Sequence, residues 1–128
     1  MNSPSSLAAE PQLILCIDDD DISLRVRKFL LANAGFNVLT AKSGEGGFEL
    51  FKQHPIDLVI ADHSLSEKTG TQIAKEMKEL KPEVPILILS GAAEEPEGLE
   101  FADGFVAKGE PPDVVLNTIA RLLTTTRN

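Results

Sequence analysis

The sequence predicts a doubly wound α/β domain, and three observations lead there. Short runs rich in branched apolar residues recur: LILCI at 13 to 17, FNVLTA at 36 to 41, DLVIAD at 57 to 62, PILILS at 85 to 90 and, more weakly, GFVAK at 104 to 108. Their hydrophobicity is continuous rather than alternating, as in strands covered on both faces of a parallel sheet. Segments of helical period lie between them. Right-handed crossovers then place helices on both faces of one five-stranded sheet.

Residues 1 to 11 contain no lysine or arginine and no sustained apolar stretch, so they read as a flexible tail and do not resemble a secretory signal. The domain is expected over 12 to 126. Its first helix, over 21 to 34, sets Ile22, Val26, Phe29 and Leu30 on one amphipathic face and Arg25 and Lys28 on another, with Gly35 as the stop. Segment 44 to 53 reads as a helix anchored by Phe48 and Phe51, although Gly44, Gly46 and Gly47 each cost about 1 kcal/mol relative to alanine inside a helix. Segment 71 to 81 carries Ile73, Met77 and Leu80 at i, i+4 and i+7 and ends before Pro82, because a residue preceding proline disfavours helix. The last helix, 112 to 124, aligns Val115, Ile119 and Leu122.

The chain of 128 residues is long enough for one core, and no apolar stretch approaches the roughly 18 residues that a spanning helix needs. A formal charge of −8 argues against nucleic acid or anionic lipid as a partner and favours cations or basic surfaces. The single cysteine, Cys16, lies within the first apolar run and forms no internal disulfide, which suits a cytoplasmic setting and a buried core thiol.

In doubly wound sheets, ligands gather outside the carboxyl ends of the strands. Here the first strand ends in Asp18, Asp19, Asp20 and Asp21, the third in Asp62, the fourth in Ser90 and Gly91, and the fifth in Lys108. Carboxylates so close together repel one another unless a cation or a helix terminus compensates. One of Asp20 and Asp21 is expected to cap the first helix, and Ser43 the second. His63 is expected to face solvent and His54 to lie in a loop. SGEGG at 43 to 47 lacks the spacing of a phosphate-binding loop, and EEPEGLE at 94 to 100 reads as a solvated acidic loop.

With Asp18-Asp19 after the first strand, Asp62 in DHSLSEKTG, Ser90 in ILILSG and Lys108 in GFVAKG, residues 12 to 124 resemble the receiver domains of two-component response regulators, most nearly the stand-alone, chemotaxis-regulator-like kind. The resemblance implies a flavodoxin-like strand order, 2-1-3-4-5. It implies Mg²⁺-dependent (or Mn²⁺-dependent) phosphoryl transfer from a phosphohistidine of a histidine kinase or phosphotransfer protein to Asp62. Asp19 and Asp62 would ligate the ion directly, Asp18 through water, and Ser64 by its backbone carbonyl. Ser90 and Lys108 would contact the phosphoryl group, with Phe105, three residues before the lysine, as the rotamer switch. Octahedral oxygen ligation that leaves room for a phosphoryl oxygen suits Mg²⁺, and a cation is what allows one anion to attack another. Such a domain is no enzyme in its own right, assisting only its own phosphorylation and dephosphorylation. No DNA-binding or catalytic segment follows residue 124, so output is expected through a separate partner protein, with neither nucleic acid nor membrane involved.

The chain departs from the family in three places. Ser66 stands where receivers usually have proline, which leaves the acceptor loop less constrained. Gly109 replaces the proline after the lysine. The interval from Ser90 to Lys108 is about one helical turn short and contains Pro96 and Gly98, so a fourth helix between them should be brief, bent or absent. Two other functions fit parts of the pattern. One is a receiver-like interaction module that is never phosphorylated. The other is a haloacid-dehalogenase-like phosphatase with Asp18 as nucleophile, which lacks the paired acids expected beyond Lys108.

Overall fold

The computed structural model describes residues 11–65, 67–91 and 98–126. Five parallel strands, β1 (Leu13–Ile17), β2 (Asn37–Ala41), β3 (Leu58–Asp62), β4 (Ile86–Ser90) and β5 (Gly104–Ala107), form one sheet in the order β2-β1-β3-β4-β5. Helices α1 (Asp21–Asn33), α2 (Gly44–Gln53) and α3 (Gly70–Leu80) make the crossovers, and α4 (Pro112–Thr126) follows the last strand. The doubly wound sheet in the order 2-1-3-4-5 is therefore present. The segment between β4 and β5 contributes one turn of 3₁₀ helix, Leu99–Phe101, in place of an α-helix among the described residues. The predicted tail, Ser66, Pro96 and most of the acidic loop at 94 to 100 lie outside the described residues.

Alternation along each strand divides the core into two layers. Leu15, Ile17, Val59, Ala61, Ile86 and Ile88 face α2 and α3, meeting Phe51, Ile73, Ala74 and Met77. Ile14, Cys16, Leu58, Ile60, Leu87, Leu89 and Val106 face α1 and α4, meeting Leu24, Leu31, Ile119 and Leu122. Both faces of the central strands β1, β3 and β4 are thus dry, as their continuous apolar runs require, while the edge strands β2 and β5 are partly exposed. Burial pushes the Cys16 thiol up to about 12, so it stays protonated and serves as packing.

Helix α1 departs from the expected arrangement. Its inward face carries Leu24 and Leu31, both buried, while Ile22, Val26 and Phe29 are 68%, 63% and 72% exposed. The helix has two apolar stripes, and periodicity alone does not say which one turns inward. Packing on the sheet buries the Leu24 and Leu31 stripe, and Asp20 starts the helix, its carboxylate accepting from the Ser23 N–H at 3.2 Å and from its hydroxyl at 2.6 Å. Those bonds also hold the Asp20 carboxyl below its usual range.

Helix α2 keeps Gly44 and Gly47 for packing. A Cβ at Gly44 would lie 2.5 Å from the Ile73 Cδ1, and one at Gly47 would lie 2.4 Å from the Ile17 Cδ1. The Ser43 hydroxyl caps this helix by accepting from the Gly46 N–H. Gly47→Ala is expected to lower stability by about 1 to 2 kcal/mol, overpacking against the buried Ile17 outweighing a propensity gain of about 1 kcal/mol. The urea unfolding midpoint measures it, and an unchanged or higher midpoint would show that the layer yields at Ile17.

Candidate functional site

The sheet delivers its polar residues to one edge. Ile17 of β1 pairs with Ala61 of β3, so Asp18 and Asp62 emerge side by side at the point where strand order reverses. Asp62 is the last residue of β3 and Ser90 the last of β4, and both are buried. The Lys108 N–H donates to the Ser90 carbonyl at 2.8 Å, which fixes where the lysine leaves β5 despite Gly109 behind it.

Asp18 is fully buried and Asp62 is 4% exposed. Buried carboxylates demand partners, and each has them. The Asp62 Oδ1 accepts from the Ser64 N–H at 3.2 Å, and its Oδ2 from the Lys108 Nζ at 3.0 Å. The Asp18 Oδ1 accepts from the Asp20 N–H at 2.9 Å, and its Oδ2 from the Lys108 Nζ at 3.3 Å. One ammonium therefore bridges both acids. Burial alone would lower the Lys108 pKa, but the hydrogen bonds and charges of Asp62 and Asp18 outweigh it and raise it.

Asp19 is exposed at the mouth, and one oxygen from each of Asp18, Asp19 and Asp62 falls within 4.8 Å of the others. Three carboxylates and no soft donor match the oxygen preference of a hard divalent cation such as Mg²⁺. Phe105 lies on β5 three residues before Lys108, half-buried against the layer that contains Ile86 and Ile88.

Two features were not foreseen. His63 does not simply face solvent: its Nδ1 is buried and has no hydrogen-bond partner among the described residues. Arg27, on α1, sends its Nη1 to the Asp18 Oδ2 at 3.3 Å, with its side chain only 12% exposed. The available signal was a cation between Leu24 and Leu31 at helical spacing, that is, on the inward stripe once the register is known. A separate depression of about 590 Å³ between α2 and α3 is lined by Glu49, Lys52, Lys68 and Glu76, whose charges pair with one another.

Three acids, a hydroxyl-bearing serine and a lysine thus meet at the carboxyl ends of β1, β3, β4 and β5. The chain belongs to the response regulator receiver domain family, whose model matches residues 14–120. The transcriptional regulatory protein GlrR of Escherichia coli (strain K12) is 30% identical over 93 residues, covering 73% of this chain and 21% of that protein. The cell cycle transcriptional regulator CtrA of Caulobacter vibrioides (strain NA1000 / CB15N) is 35% identical over 81 residues, covering 63% of this chain and 35% of that protein. The chain thus spans only a fifth to about a third of these relatives.

Among solved structures, a response regulator receiver domain protein from Clostridium thermocellum matches with a TM-score of 0.85 at 29% identity, covering 91% of this chain and 97% of that one. The response regulator TrrA of Thermotoga maritima, solved in complex with Mg²⁺ and BeF, matches with a TM-score of 0.83 at 26% identity, covering 87% of this chain and 98% of that one. The family places the chain in two-component signal transduction. Among the described residues, no helix is long and apolar enough to cross a membrane.

Proposed function

We propose that this chain is a switch that takes a phosphoryl group onto Asp62 from a phosphohistidine of a histidine kinase or phosphotransfer protein. The observation that carries it is Lys108, whose Nζ sits 3.0 Å from the Asp62 Oδ2 and 3.3 Å from the Asp18 Oδ2, within reach of a group transferred to the strand end. An Asp62 oxygen attacks phosphorus, the bond from phosphorus to the donor imidazole nitrogen breaks, and that nitrogen keeps the electron pair. Asp19, Asp62 and the Ser64 carbonyl would hold Mg²⁺, with Asp18 reaching it through water. When bound, the ion neutralises the attacking and equatorial oxygens. Lys108 supplies fixed positive charge to the phosphoryl oxygens, and the buried Ser90 hydroxyl hydrogen-bonds one of them. That bond draws the end of β4 inward and changes the packing around Phe105, which is the output signal. Hydrolysis of the acyl phosphate resets the switch, so the chain is consumed and restored rather than turning over a substrate. A reducing cytoplasmic setting suits the buried thiol of Cys16.

Incubation with Mg²⁺ and a small acyl phosphate, followed by intact-mass measurement, tests this reading. One phosphoryl group added with Mg²⁺ and none added when EDTA replaces it supports it. No addition, where another receiver labels, favours the fixed interaction module.

The exposed stripe of Ile22, Val26 and Phe29 begins beside Asp21 and borders the site a donor must reach, so the donor protein is what covers it. Phe29→Asp is expected to slow transfer from a phosphohistidine protein by about tenfold or more, as loss of an apolar anchor does. Labelling by the small acyl phosphate should stay unchanged. Equal loss with both donors would place the effect inside the site instead.

A further inference from the structure

We infer that Arg27 is a resident counter-ion of the acidic pocket and sets how weakly this receiver binds its divalent cation. The inference rests on the phosphoacceptor reading above. Asp18 is fully buried, and both of its oxygens are engaged: Oδ1 by the Asp20 N–H, Oδ2 by Lys108 and by the Arg27 guanidinium, each at 3.3 Å. Two cations on one carboxylate oxygen is more than a buried acid needs to be satisfied. The Arg27 side chain is 12% exposed on the inward stripe between Leu24 and Leu31, so solvent screens it little.

The consequence follows from charge. Formally, Asp18, Asp19 and Asp62 present three negative charges, and Lys108 alone would leave two for a divalent ion to neutralise. Arg27 in the pocket takes one more unit of negative charge from what the ion would neutralise. Arg27 thus supplies part of the compensation that the ion otherwise provides, and it draws Asp18 away from the role of holding ion-bound water. The folded chain without metal gains an ion pair, and the metal loses attraction. A guanidinium fixed by the helix keeps the pocket folded and compact before the cation arrives, and ties the switch to high free Mg²⁺.

Isothermal titration of the full chain with Mg²⁺ at fixed ionic strength tests it, on wild type, Arg27→Gln, Arg27→Leu and Arg25→Gln. Arg27→Leu fills the same slot beside Leu24 and Leu31. Arg25→Gln removes a charge from the exposed side of the same helix, where the Arg25 side chain is 78% exposed and pairs with Asp21. Both Arg27 variants are expected to bind Mg²⁺ about tenfold more tightly than wild type, since losing a unit charge inside a poorly screened site outweighs losing one in water. Arg25→Gln should stay within about twofold, as exposed charges contribute little. Urea unfolding in EDTA and in Mg²⁺ should show a lower midpoint for the Arg27 variants without metal and a larger gain on adding it.

Unchanged or weaker Mg²⁺ binding by the Arg27 variants, or equal tightening in Arg25→Gln, would overturn the proposal. So would failure of both Arg27 variants to fold even in Mg²⁺, which would make the arginine a structural requirement. No Mg²⁺ binding by wild type would instead sink the metal reading on which the proposal stands.

Discussion

Asp62→Asn is expected to abolish labelling by a small acyl phosphate, while Asp18→Asn retains it at about one tenth to one hundredth of the wild-type rate, the loss typical of a group that orients a metal site. The difference follows from what each carboxylate faces. Asp62 ends β3 with one oxygen on the Ser64 N–H and the other on Lys108, the group that would stay with a transferred phosphoryl. Asp18 is fully buried, held by a backbone N–H, an ammonium and a guanidinium. Asp18 is held by three donors where Asp62 has two, which favours Asp62 as the nucleophile over a phosphatase reading that would use Asp18. Intact mass after acyl phosphate treatment reads the result. Full labelling of Asp62→Asn, or loss confined to Asp18→Asn, would reverse the assignment.

Lys108→Ala is expected to slow phosphoryl transfer by about 100-fold to 1,000-fold, the loss seen when one preorganised donor to developing charge is removed. It also acts on the resting fold. The ammonium bridges two buried acids, so its removal in EDTA should cost about 1.5 to 3 kcal/mol, the range for a hydrogen bond to a charged group. Mg²⁺ should restore much of that by taking over the compensation. The pH dependence has a definite sign. The folded pKa of Lys108 is raised above its ordinary value of 10.5, so its contribution is fully present below that value and is lost as pH rises through the folded pKa. Unfolding midpoints of wild type should therefore fall toward those of Lys108→Ala in strongly alkaline solution. Parallel curves for the two proteins across that range would show that the bridge carries no stability.

Most of the fold was legible because burial on both faces leaves a plain mark. LILCI, LVIAD and ILILS each sit between two dry layers, and such strands have no polar alternation to confuse with a helix. The site was legible for a related reason, since each strand places its next residue at the carboxyl edge, and the acids, hydroxyl and lysine follow their apolar runs directly. Helix α1 was not. Ile22, Val26 and Phe29 form as regular a stripe as Leu24 and Leu31, and which of the two packs on the sheet is a tertiary choice that a hydrophobic pattern does not encode. The same ambiguity hid Arg27, which reads as a surface charge until the helix is turned. Helix α2 forms as expected despite the propensity cost of its glycines, and at Gly44 and Gly47 the side chains of Ile73 and Ile17 occupy the space that a Cβ would need.

The claim on which the rest depends is that a divalent ion lets acids from β1 and β3 share one pocket with a phosphoryl group. A crystal structure of the chain grown with Mg²⁺ and beryllofluoride tests it most directly. The expected result is an ion held by Asp19, Asp62 and the Ser64 carbonyl, with the beryllium on an Asp62 oxygen and its fluorides on Lys108 and Ser90. An Asp62 side chain turned away from Asp19, with no ion between them, would contradict it.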